Sequence, residues 1–257
     1  LRRYCVVAYN SITLPEFFSN RFKEKKKVVL SLAAVFILVF FTVYAASCFV
    51  TCGKLFSTLF GGDYVVMMLI GAAFVLIYTI IGGFLAESAS DFMQSIVMIS
   101  ALSLVVIIGT VKAGGLGAVF NNMNEIPGFL EFFGLATPTV DATTSEQVVA
   151  NGSAIFGDAR SFSILSVFSA LAWGLGYFGM PQVLLRFMAI KKETDLKLSR
   201  RIAMIWVVIS LGVAILIGII GRYLFPTEHL TQSGAENIFI TMATGFLPPF
   251  IAGLVMA

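Results

Sequence analysis

Trp173-Gly174-Leu175-Gly176-Tyr177-Phe178-Gly179-Met180-Pro181 sets three glycines and a proline inside an otherwise apolar run. In a helix interior Gly costs up to about 1 kcal/mol relative to Ala, and Pro about 3 kcal/mol. Proline also removes a backbone donor. If this run lies in lipid, the freed backbone groups must find partners inside the protein or in a wet cavity. Two readings follow. Interrupted helices hold ions and polar ligand groups in many secondary transporters. Alternatively, Trp and Tyr sit at the membrane interface and the glycines at helix contacts. Trp173, Tyr177 and Met180 follow i, i+4, i+7 spacing, so they would share one face of a continuing helix.

The rest of the chain supports lipid as the solvent. Of 257 residues, 58% are hydrophobic and 12% are charged, and the mean hydropathy is +0.95. Soluble domains carry about 25% charged residues. A helix needs about 20 mostly apolar residues to cross the hydrocarbon core. Segments 28–50, 64–85, 92–111, 162–181 and 202–224 qualify, and a further span begins near Pro248. The expected fold is therefore all-α and polytopic, one incomplete transmembrane domain over 1–257. The start at Leu1 and the apolar end read as a piece of a longer protein.

Thirteen of the seventeen Lys and Arg fall in two clusters, one before 28 and one between Arg186 and Arg201. The positive-inside rule puts 1–27 and 182–201 in the cytoplasm. Three spans then carry the chain out and the fourth brings it back, so 114–161 reads as an external loop. Its acids, Glu125, Glu131, Asp141, Glu146 and Asp158, outnumber Arg160. Both basic runs abut apolar spans and read as membrane anchors rather than nucleic-acid patches.

Two further residues stand out. Tyr44 lies ten residues before Lys54, roughly 15 Å along a helix, with Ser47 and Cys48 on its face. It is either a tyrosine bonded across a helix contact or part of a pocket. Asp91 follows Glu87-Ser88-Ala89-Ser90 with no basic neighbour. It either caps the third span or holds a passing cation. Nothing supports an enzyme or a bound cofactor. The one histidine, His229, falls in a loop, Cys48 and Cys52 have no nearby His, and no phosphate-binding glycine loop follows a strand.

The chain resembles the sodium:solute symporter family, above all its bacterial sodium/proline members. The resemblance rests on Trp173–Pro181 with Arg186-Phe187-Met188-Ala189, on Tyr78–Ala86 with Asp91, and on Phe40–Ser47. Leu14-Pro15-Glu16-Phe17-Phe18 and Ala235–Ile240 add to it. It implies a fold of two inverted five-helix repeats, of which this chain would hold an inner part. It implies a sodium-coupled symporter for a small organic solute in a bacterial inner membrane, proline first. Other amino acids, sugars, pantothenate or sialic acid are the alternatives, as is a transporter-like solute sensor. Positions matching Tyr44, Trp173, Tyr177, Met180 and Pro181 would meet the substrate, and Asp91 would take part in sodium coupling. Sodium, solute and the bilayer are the expected partners, with no nucleic acid or obligate protein partner. Proline-type relatives carry Gln where this chain has Met180.

Overall fold

The computed structural model describes residues 1–256. Its elements are α1 (Arg2–Val7), α2 (Leu14–Arg21), α3 (Val28–Phe60), α4 (Tyr64–Lys112) and α5 (Leu116–Asn124). Four two-residue strands follow: β1 (Gly134–Leu135), β2 (Val149–Ala150), β3 (Ser153–Ala154) and β4 (Arg160–Ser161). Then come α6 (Ile164–Tyr177), α7 (Pro181–Ala189), α8 (Asp195–Leu224), α9 (Gln232–Ala235), α10 (Ile238–Phe246) and α11 (Pro249–Met256). The protein is an all-α polytopic membrane protein. Four of its helical runs are long and apolar enough to cross a bilayer: Val28–Phe60, Tyr64–Lys112, Ile164–Ala189 and Asp195–Leu224.

The chain forms two compact units. One holds Leu1–Glu87 with Phe168–Met204, the other Ser88–Val167 with Ile205 onward. In the first unit, α2 starts at a capping box. Thr13 Oγ1 accepts from the Glu16 amide, and Glu16 Oε2 accepts from the Ile12 amide at 2.9 Å. Asn20 Nδ2 donates to Ser11 Oγ at 2.9 Å and to the Ala8 carbonyl at 3.2 Å, which ties α2 to the end of α1. Cys5, Leu14 and Met188 are buried together, with Phe17, Ile37 and Leu184 packed around them. Burial pushes the Cys5 thiol up.

At the start of α3, the Glu24 carboxylate accepts from the Val29 amide at 2.8 Å, satisfying a donor that has no intrahelical partner. None of the most apolar window of α3 is buried in this chain. Such a surface suits lipid or further helices, not water. The helix stops at Gly61, which takes φ +65° and returns its amide to the Ser57 carbonyl at 2.9 Å. Asp63 then opens α4 by accepting from the Val65 and Val66 amides.

α4 is 49 residues long. Straight, that would be roughly 74 Å, more than twice the ~30 Å hydrocarbon core. It is not straight. Gly83 leaves helical geometry at φ +56°, ψ −156° and kinks it. The helix resumes at once and runs through Asp91. Asp91 therefore sits roughly two turns beyond the kink, inside a helix. The capping role that its position in the sequence suggested does not hold, because Gly83 takes up the turn instead.

The second unit has the larger core. Val105, Ile217, Ile220 and Met242 are almost or wholly buried, with Val119 and Met123 of α5 beside them. Segment 114–161 is folded. β1 pairs antiparallel with β4, and β2 with β3. The Gln147 amide donates to the Leu230 carbonyl at 3.1 Å and ties this segment to the loop after α8. His229 Nε2 lies 2.9 Å from Thr241 Oγ1, so the lone histidine is engaged within the fold.

Candidate functional site

The break in the glycine-rich run falls later than its composition suggests. α6 stays helical through Gly174 and Gly176 and ends at Tyr177. With no competing water, even glycine keeps its helical bonds in lipid. The chain then tightens into three-residue turns: Phe178 N to Leu175 O at 3.3 Å, Gly179 N to Gly176 O at 3.0 Å, Met180 N to Tyr177 O at 3.3 Å. Pro181 opens α7 as its first residue. Its ring disfavours helical geometry at the residue before it, and Met180 accordingly takes φ −66°, ψ 117°. Met180 is thus the residue capping α7, without a side-chain cap bond. The expected stripe of Trp173, Tyr177 and Met180 on one helix face does not form, because the helix has ended before Met180.

Trp173 and Tyr177 do share a face. Their ring centroids are 5.7 Å apart, with the planes at 35°. Both rings are well exposed in this chain. On α3, the Tyr44 ring lies 5.6 Å from Phe41, and its hydroxyl is within interaction range of Cys48, Tyr177 and Gln182. Ser47 is not free to serve a ligand as a donor, since its hydroxyl donates to the Tyr44 carbonyl at 2.7 Å. The structure therefore brings Tyr44, Tyr177 and the break between α6 and α7 together, all within the first unit.

Beside the break lies a cavity of about 550 Å³. Ile37, Leu38, Phe41 and Leu185 supply apolar wall, and Pro181, Gln182 and Thr13 also line it. Tyr44, Trp173 and Tyr177 are not on this wall; Phe41 links it to Tyr44. Such a shape, mostly apolar with a few polar groups, is what small-molecule sites have.

Gln182 is the residue that reading the sequence missed. Its Oε1 is buried with no hydrogen-bond partner. Buried polar atoms are nearly always paired, so an orphan acceptor beside Tyr44 is a place for a donor from outside the chain. A local signal existed: Gln182 is the one polar side chain between Phe178 and Leu185.

Asp91 belongs to the second unit and is partly buried with a partner of its own. At the far end of α7, Arg186 Nη2 lies 4.0 Å from Glu87 Oε1, with both side chains about half exposed. Such a pair adds little stability.

Comparison with known proteins places these features in context. The family model described as the sodium:solute symporter family matches residues 2–257. The osmoregulated proline transporter OpuE of Bacillus subtilis (strain 168) is 34% identical over 258 residues, covering 100% of this chain and 47% of that protein. The sodium/proline symporter of Staphylococcus aureus (strain USA300) is 33% identical over 257 residues, covering 100% of this chain and 45% of that protein. The chain thus spans about half the length of the curated relatives it matches. No solved structure matches.

Proposed function

The chain belongs to the sodium:solute symporter family, and from that premise we propose that its parent protein imports a small amino acid, proline first, coupled to sodium. The observation that carries the solute site is the meeting of Tyr44, Tyr177 and Gln182 at the break before Pro181. The names of the two relatives support proline. Trp173 and Tyr177 close over the apolar body of the solute. Tyr44 offers a hydroxyl, and Gln182 Oε1 accepts a hydrogen bond, which a secondary ammonium can donate. Met180 and Pro181 shape the break, whose loosened backbone and the positive end of α7 face polar groups of the ligand.

Sodium and solute bind together to an outward-open state, and the inward sodium gradient drives the rocking of one helix bundle against the other. Asp91 is the sodium-coupling carboxylate in this reading. Sodium is the coupling ion, not a bound cofactor. The parent sits in a bacterial plasma membrane with 1–27 and 182–201 on the cytoplasmic side, a placement the basic clusters support. Its spans belong to a fold of two inverted repeats, forming one transmembrane domain. It works without an obligate protein partner.

The test is uptake by the full-length parent reconstituted in vesicles. Labelled proline should accumulate under an inward sodium gradient and not under a potassium gradient. Absence of sodium-driven uptake for proline and for a panel of other amino acids, sugars and carboxylates overturns the proposal. Uptake of a different solute overturns proline alone and would point to Met180 as the residue that changed the pocket.

A further inference from the structure

A separate group of polar side chains gathers in the second unit, around the last turn of α8. There a cavity of about 410 Å³ lies against α5, β3, Phe156 and the end of α8. Its size is within the range of small-molecule pockets. Arg222 is on its wall. The guanidinium carbon of Arg222 stands 4.0 Å from the centroid of the Phe156 ring. Stacking of this kind covers one face of the guanidinium. Its N–H donors lie in the plane of the group and remain available. The Arg222 Nε is buried with no hydrogen-bond partner. Among the described residues Arg222 forms no salt bridge.

A half-buried cation held in place by an aromatic ring, with its buried Nε unpaired, is set up for an anion. A guanidinium presents its N–H groups as a flat fork, which matches the two oxygens of a carboxylate. The same wall carries Glu125 and the Asn122 amide. A fixed negative charge beside the site repels dianions more than monoanions. It also leaves a favourable place for a positive group on the ligand. We propose that this cavity binds a small monocarboxylate, with Arg222 as the residue that holds the carboxylate and Glu125 as the residue that excludes multiply charged anions. The carboxylate can belong to a simple organic acid or to an amino acid.

Ser153 of β3 also lines the cavity and is exposed, so it can report on occupancy. In the full-length parent with its native cysteines replaced by serine, Ser153→Cys is labelled with N-ethylmaleimide at constant ionic strength. Acetate or glycine should slow labelling at least threefold, whereas ethylamine and sulfate should not. Slowing by acetate assigns the site to simple acids; slowing by glycine alone assigns it to amino acids and brings Glu125 into ligand binding. Arg222→Gln should abolish the protection while the ligand-free labelling rate stays within twofold. Should that variant disturb the loop, Arg222→Lys, which keeps charge and stem, should raise the half-protecting concentration at least fivefold. No protection by either carboxylate, protection undiminished in both Arg222 variants, or equal protection by sulfate overturns the assignment. Trp173→Ala should leave the protection unchanged, so the outcome here and the outcome for proline uptake are read independently.

Discussion

Trp173 and Tyr177 stand one turn apart on α6 with ring centroids 5.7 Å apart and planes tilted by 35°. Trp173 is 76% exposed and Tyr177 is 49% exposed. In this chain the pair forms an open aromatic face next to the break.

Trp173→Ala should therefore act on solute affinity and not on folding. Burying an aromatic face against a ligand is worth roughly 1.5–3 kcal/mol. The loss should raise the half-saturating proline concentration of the full-length parent at least about tenfold, with little change in thermal midpoint. Trp173→Phe, which keeps a ring, should recover most of the affinity. An unchanged constant in Trp173→Ala removes the residue from the pocket.

Gln182 allows a sharper separation of fold from function. A buried acceptor with no partner is a cost to the empty protein. Gln182→Leu removes that acceptor at similar volume and should leave the thermal midpoint unchanged or raise it. If Oε1 receives a hydrogen bond from the solute, the same variant should raise the half-saturating concentration by roughly 2–12-fold, the equivalent of 0.5–1.5 kcal/mol. A drop in thermal stability without a change in affinity would make Gln182 a structural residue.

Local chemistry explains which of these features were legible in the sequence. The break before Pro181 was readable because proline acts on its own residue and the one before it. The apolar runs and their charged flanks were readable because each depends on neighbours in the chain, whereas the helix that joins 64–85 to 92–111 was not. The exact site of the break was not. Gly174 and Gly176 remain helical, since glycine permits a break without requiring one. The stripe through Met180 failed for the same reason, because i+7 spacing means one face only while the helix lasts. Tyr44 and Gln182 are distant in sequence, and their meeting depends on how α3 packs near α7. Asp91 looked like a cap because it stands just before the apolar run 92–111, whereas the helix that resumes after Gly83 runs on through it. Arg222 showed no pattern at all; its stacking on Phe156 arises from the fold of segment 114–161.

Gly83 carries the kink in α4 at φ +56°, ψ −156°, a region that residues with a side chain rarely occupy. A Cβ added there meets nothing within 4 Å. Any loss in Gly83→Ala is thus backbone strain and not a clash. Strain of this kind costs about 1–3 kcal/mol. The variant of the detergent-solubilised parent should unfold at a lower temperature or straighten the kink. Distances between spin labels on either side of residue 83 would separate those two results, and unchanged stability with unchanged distances would refute the role given to Gly83.

Gly221 fails for the opposite reason. It lies in the core of the second unit within α8, where its conformation is ordinary but its space is not. A Cβ at this position would clash with Ile238 Cγ1 and stand 2.9 Å from Met242 Sδ. Met242 is fully buried, so its side chain has little room to retreat. Overpacking of a full core costs about 1–3 kcal/mol. Gly221→Ala should lower the thermal midpoint, and Gly221→Val should lower it further. Met242→Ala alone should also destabilise the protein, by about 2–5 kcal/mol through the cavity it leaves. Combined with Gly221→Val, however, it should cost less than the sum of the two, because the valine fills part of the space vacated by the methionine. Strict additivity in that double-mutant cycle would mean that Gly221 and Met242 do not share a contact.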